Sequence, residues 1–148
     1  MAIAKCAVGH SAEARQLAYA DVKRRLQPLL LGETDLVAAM ATVVCELHHS
    51  FEYYDWTGFY RATAGGTLVV GPYQGSHGCL RIAPGTGVCG AAAASKATQL
   101  VRDVHAFPGH IACSSSSNSE VPPTPPSQSD VRLSALLSVQ CAGASSST

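Results

Sequence analysis

The chain has 148 residues, enough for one domain with its own core. Ten Lys plus Arg balance ten Asp plus Glu, which leaves no basic face to steer the chain to nucleic acid or acidic lipid. Apolar runs fall well short of the roughly 20 residues of a membrane helix, and the leading segment MAIAKCAVGHSAEARQ carries charge where a signal peptide needs an unbroken apolar stretch. The expectation is therefore a protein of the cytoplasm, without nucleic-acid or membrane partners.

In chain order, Ala14, Leu17, Ala18, Val22 and Leu26 recur at helical spacing, with Ser11 as N-cap, and predict a helix from Ser11 to Leu31 that Pro28 and Gly32 end. A second helix is expected from Thr34 to about His48–Ser50, its stripe formed by Leu36, Val37, Met40, Val43, Val44 and Leu47. From Asp55 the texture changes. DWTGFYRATAGGTLVVGPYQG reads as two strands joined at Gly65–Gly66. The glycine-rich GSHGCLRIAPGTGVCG follows, then AAAASKATQL with the composition of a helix. SSSSNSE after VRDVHAFPGHIAC reads as a loop or pocket rim rather than a regular element. Beyond Glu120 four of the eight prolines fall in VPPTPPSQSD, and VRLSALLSVQ admits one short helix or strand with nothing left to pack around it. Residues 1–120 are thus read as the domain, and 121–148 as a Pro/Ser-rich, poorly ordered tail.

Six cysteines, at 6, 45, 79, 89, 113 and 141, fit a secreted disulfide framework poorly in a chain with no export signal. No pair has C-x-x-C spacing, so any joint site must be assembled by the fold. Three readings stand for Cys79, Cys89 and Cys113. Each is a small buried hydrophobe; or they bind zinc together with His77, His105 and His110, although the usual ligand spacings are absent; or they perform thiol redox chemistry. A thiolate that attacks an electrophilic sulfur becomes a sulfenic acid, which a second thiol condenses into a disulfide, so converging cysteines suit that cycle. On composition alone, Trp56 and Tyr60 are ordinary sheet core and Glu120 a solvated loop acid. GTGVCG matches neither phosphate-loop nor dinucleotide spacing and reads as turn glycine.

DWTGFY, LVVGPYQG, the cysteine of CLRI, GTGVCGAAAA and LVRDVHAFPGHIAC followed by SNSE occur in one order. Together they resemble the free methionine-(R)-sulfoxide reductases, a family of GAF domains, from about Leu30 to Glu120. The resemblance implies an α+β fold, a GAF-like antiparallel sheet flanked by helices. It implies thiol-dependent reduction of free L-methionine (R)-sulfoxide with Cys113 as attacking cysteine, Cys79 as main resolving cysteine and Cys89 as a third that exchanges disulfides or resolves in its place. Trp56 and Tyr60 then form the aromatic wall of the substrate pocket, and Glu120 is one of its acidic ligands. Thioredoxin or a similar dithiol protein would supply electrons. No metal or organic cofactor is called for, and a homodimer is left open.

The resemblance stops at Glu120. Family members continue with two strands, an acidic pair that completes the pocket, and a closing helix, whereas the residues from Val121 onward have no strand–turn–strand pattern and Asp130 as their one acid. The expectation is a sheet without its C-terminal strands and helix, little reductase activity and marginal stability. Two alternatives follow, a non-catalytic sensor of small ligands and an inactive isoform.

Overall fold

The computed structural model describes residues 11–109, 117–122 and 135–142. Two helices come first. In α1 (Ala12–Leu30) the Ser11 side chain accepts from the Ala14 N–H, meeting one of the donors that a helix start leaves unpaired. Pro28 does not end the helix but sits inside its last turn. Asp35 caps α2 (Leu36–Ser50) in the same way, through the Ala38 N–H. Each helix turns a narrower stripe inward than the sequence suggests, because Leu17 and Val37 point to solvent while Val22, Met40 and Val44 are buried. None of the helices among the described residues is long and apolar enough to cross a membrane.

The sheet begins with the expected hairpin, β1 (Tyr54–Ala62) against β2 (Leu68–Gly75), and β2 continues to a short β3 (Arg81–Ile82). Helix α3 (Gly87–Ser95) starts earlier than its alanines suggest, taking in the whole of GVCG. A single 3-10 turn spans Val104–Ala106. Strands β4 (Ser117–Val121) and β5 (Ala135–Ala142) complete an antiparallel sheet in the order β3-β2-β1-β5-β4.

Two expectations are corrected here. SNSE is not a loop, because Ser117–Glu120 belongs to β4, held by pairing with β5 and by a bridge from Val101 to Glu120. Nor is the sheet without a strand after Glu120, since β5 lies between β1 and β4, with Thr57 opposite Val139 and Phe59 opposite Leu137. The missing ingredient was tertiary: two strand edges give ALLSVQCA its partners, whatever its own weak pattern.

The sheet separates two layers. On one face, Val22 and Phe51 pack with Ala18, Leu26, Leu47, Tyr53 and Tyr54, and the part-buried Arg25 bonds Asp21, Glu46 and Ser50 across α1 and α2. On the other, Trp56, Tyr60, Leu68, Ile82, Cys89 and Ala92 form the second core beneath α3.

Candidate functional site

Residues two apart on a strand share a face, so Trp56, Gly58 and Tyr60 line one side of β1. The register sets Ser138 of β5 opposite Gly58, and aligns Glu120 of β4 with Gln140 and, through it, with Trp56. The α3 face of the sheet therefore brings Trp56, Tyr60, Cys89, Glu120 and Ser138 together. All five are buried, Trp56 at 2% exposure and Glu120 at 4%.

An aromatic row runs along this face. The Trp56 ring stacks on Tyr60 and on Tyr73 of β2, each at a centroid distance of 5.6 Å. Gly58 makes the row feasible. A Cβ there would stand 2.5 Å from Trp56 Cη2 and closer still to Tyr73 Cβ. Tyr60 donates its hydroxyl to the Cys79 carbonyl at 3.1 Å, which ties the row to the segment between β2 and β3. Burial first, then the neighbouring Cys89 and Glu120, hold the Tyr60 phenol well above its ordinary value, so it is a neutral donor at physiological pH.

The polar end is a buried cluster. Cys89 Sγ donates to Glu120 Oε1 at 2.9 Å, Ser138 Oγ donates to the same oxygen at 3.1 Å, and Cys89 and Ser138 lie 3.4 Å apart. Burial, followed by the charge of Glu120 and the hydrogen bond to it, pushes the Cys89 thiol well above its usual range. Cys89 is a protonated donor here, not a thiolate. Glu120 is thus no solvated loop acid, since its carboxylate is buried and already engaged by two donors.

Cys79 is half-buried against the apolar core beneath α3 and is disulfide-bonded. Its partner is neither Cys45 nor Cys89, which are both free thiols. Cys6 and Cys113 lie outside the described residues, as does His110 of the zinc reading. Among the described residues no three His, Cys, Asp or Glu side chains are grouped to hold a metal ion. His48 faces the opposite side of the sheet, its Nδ1 3.4 Å from Thr57 Oγ1.

Sequence reasoning missed Ser138, Tyr73 and the two glycines that let the indole lie flat, Gly58 and Gly78. Ser138 had no local signal, because its place beside Glu120 exists only once β5 is inserted. The glycines could have been suspected from their closeness to Trp56 and Cys79 in the chain.

No family model matches the chain. It is 45% identical over 103 residues to the free methionine-R-sulfoxide reductase of Escherichia coli, a match that covers 70% of this chain and 62% of that protein. It is 39% identical to the enzyme of the same name from Saccharomyces cerevisiae, covering 65% of this chain and 61% of that one. The chain thus spans about three fifths of the length of these curated relatives. Among solved structures, the free methionine-R-sulfoxide reductase of Neisseria meningitidis, in complex with its substrate, superimposes with a TM-score of 0.79 at 35% identity, covering 95% of this chain and 81% of that one. A GAF sensor protein of Burkholderia vietnamiensis gives 0.77 at 43% identity, covering 86% and 79%. On fold and sequence together, the chain belongs to the free methionine-(R)-sulfoxide reductase family of GAF domains.

Proposed function

We propose that the chain reduces free L-methionine (R)-sulfoxide with Cys113 as the attacking thiol and Cys79 as the resolving one. The observation that carries this reading is the disulfide at Cys79, packed against the core that holds the buried aromatic row, on the face of the sheet where the Glu120 carboxylate is also buried. The Cys113 thiolate attacks the sulfoxide sulfur, the oxygen passes to the cysteine and takes up the proton the thiol had released, and methionine leaves as the thioether. Cys79 then condenses with the sulfenic acid, forming the disulfide and releasing water. A dithiol protein such as thioredoxin returns both cysteines to thiols and is itself oxidised. Sulfur carries every electron, so no metal or organic cofactor takes part.

Within this reading Tyr60 and Trp56 close the apolar end of the pocket, where a methyl thioether gains roughly 0.3–1.5 kcal/mol from ring contact. Glu120 receives the substrate ammonium. Cys89 stands in reserve, since a thiol bound to Glu120 must first leave that hydrogen bond before it can exchange with the disulfide. The test is single turnover with the pure (R)-epimer. Cys113→Ser should release no methionine, while Cys79→Ser should release one equivalent and then stop. Equal first-turnover yields from wild type and Cys113→Ser would reject the assignment.

A second reading, a sensor that binds a small ligand without turnover, draws on the uncharged Ser138 beside Glu120 where a further acid would strengthen ammonium binding. Stoichiometric release of methionine by the reduced chain separates the two, and its absence from a folded chain favours the sensor or an inactive isoform.

A further inference from the structure

Trp56 carries a polar atom for which the fold supplies no partner. Its Nε1 is buried and makes no hydrogen bond among the described residues. Native proteins leave few buried donors in that state, and each one calls for an explanation. The ring stacks on Tyr60 and Tyr73, and the edge bearing the N–H is left without a hydrogen-bond partner. Gly78 sits at that edge. A Cβ at Gly78 would stand 3.1 Å from both Nε1 and Cζ2, so any larger residue would crowd the approach to the donor. The next residue in the chain is Cys79.

A sulfoxide oxygen accepts hydrogen bonds, and the other donors of the site, Tyr60, Cys89 and Ser138, are already given to protein acceptors. Glu120 Oε1 already accepts from Cys89 and Ser138, and the Tyr60 hydroxyl is given to the Cys79 carbonyl. An indole N–H is a donor only. We infer that Trp56 Nε1–H donates to the oxygen of the bound methionine sulfoxide and holds it over Gly78, beside Cys79.

This inference rests on the reductase reading and gives Trp56 a catalytic part in it. As the attacking thiolate approaches sulfur, negative charge grows on the oxygen, and a fixed donor aimed at that position stabilises it in a site closed to water. The S–O bond of the substrate breaks and an S–O bond to the cysteine forms. The oxygen takes up the proton that the Cys113 thiol released on becoming a thiolate and ends as the hydroxyl of the sulfenic acid; the sulfoxide gains two electrons and the cysteine loses two. The indole keeps its proton throughout.

The chain has one tryptophan, so its indole N–H gives a single resonance in a ¹⁵N-labelled sample. In full-length Cys113→Ser protein, methionine (R)-sulfoxide at saturation should move that resonance downfield and slow its exchange with solvent, whereas methionine, which lacks the oxygen, should do neither. Trp56→Phe keeps a stacked ring and loses the donor, and should slow single turnover about 100-fold, the usual effect of deleting one such donor. Its change in substrate affinity should be smaller. An indole resonance that responds equally to methionine and its sulfoxide, or an undiminished single-turnover rate in folded Trp56→Phe, would overturn the inference. Wild-type protein that makes no methionine would overturn the reductase reading, and this inference with it.

Discussion

Cys89 occupies the first turn of α3, where unpaired backbone N–H groups lower a thiol's pKa, yet burial and then the Glu120 carboxylate raise it well above its ordinary 9.0. The larger effect wins because the site is closed to water while the helix is short. Tyr60 is raised as well, from an ordinary 10.0, with burial again the main cause. Both groups hold their protons more tightly in the folded chain than in the unfolded one. Stability from this source is therefore complete below pH 9, and it falls as pH climbs past 9.0 for Cys89 and past 10.0 for Tyr60 toward their folded values. One such proton gives a slope of up to about 1.4 kcal/mol per pH unit. Urea midpoints measured between pH 7 and pH 10.5 should drop more steeply in wild type than in Cys89→Ser, whose hydroxyl does not titrate. Parallel curves would mean that the Cys89 thiol is not held by Glu120. At this scale the sequence named Trp56, Tyr60, Cys79, Cys89 and Glu120 through motif resemblance. It could not foresee that Cys89 and Glu120 are hydrogen-bonded to each other, because 31 positions separate them.

Local rules were good guides to α1, α2 and the β1–β2 hairpin, whose signals lie within a few residues of one another: the Ser11 cap, the 3.6-residue stripes, and the turn at Gly65–Gly66. They failed where pairing decides. SNSE and ALLSVQCA have little strand character of their own, and each becomes a strand by completing the other's ladder and that of β1. The position of β5 makes it the element on which the sheet depends most. Without it, β1 and β4 would both present unpaired backbone edges, and Glu120 would lose the Ser138 donor. A chain ending at residue 134 should therefore lose its cooperative thermal transition and bind a hydrophobic dye, as states without fixed packing do. A shortened chain that melts as sharply as the full one, and at the same temperature, would show that β5 adds nothing to the fold.

The whole molecule keeps its two cores on opposite faces of one sheet, with the α1–α2 layer on the face away from Cys79, Trp56 and Glu120. Stability and chemistry should then respond to different substitutions. Arg25 joins the two outer helices: it bonds Asp21 on its own helix and reaches Glu46 Oε2 at 3.0 Å and Ser50 Oγ at 2.8 Å on α2. Arg25 and Glu46 side chains are each 14% exposed, so water screens the pair only in part. Replacing Arg25 with Met preserves much of the apolar stem and leaves Glu46 without this partner. The cost should be about 1–3 kcal/mol, that of stranding a largely buried polar group. For a chain of this size each kcal/mol lowers the melting temperature by roughly 2–4 °C, which differential scanning calorimetry resolves. The single-turnover rate at 25 °C should stay within twofold of wild type, because among the described residues the Arg25 bonds stay on α1 and α2. A tenfold slower turnover in Arg25→Met that is still fully folded at that temperature would mean that the two layers are mechanically coupled through the sheet. The carriers of that coupling would then be Thr57 and Trp56, neighbours on β1 that point to opposite faces, with Thr57 at 0% exposure beside His48 and Trp56 in the core beneath α3.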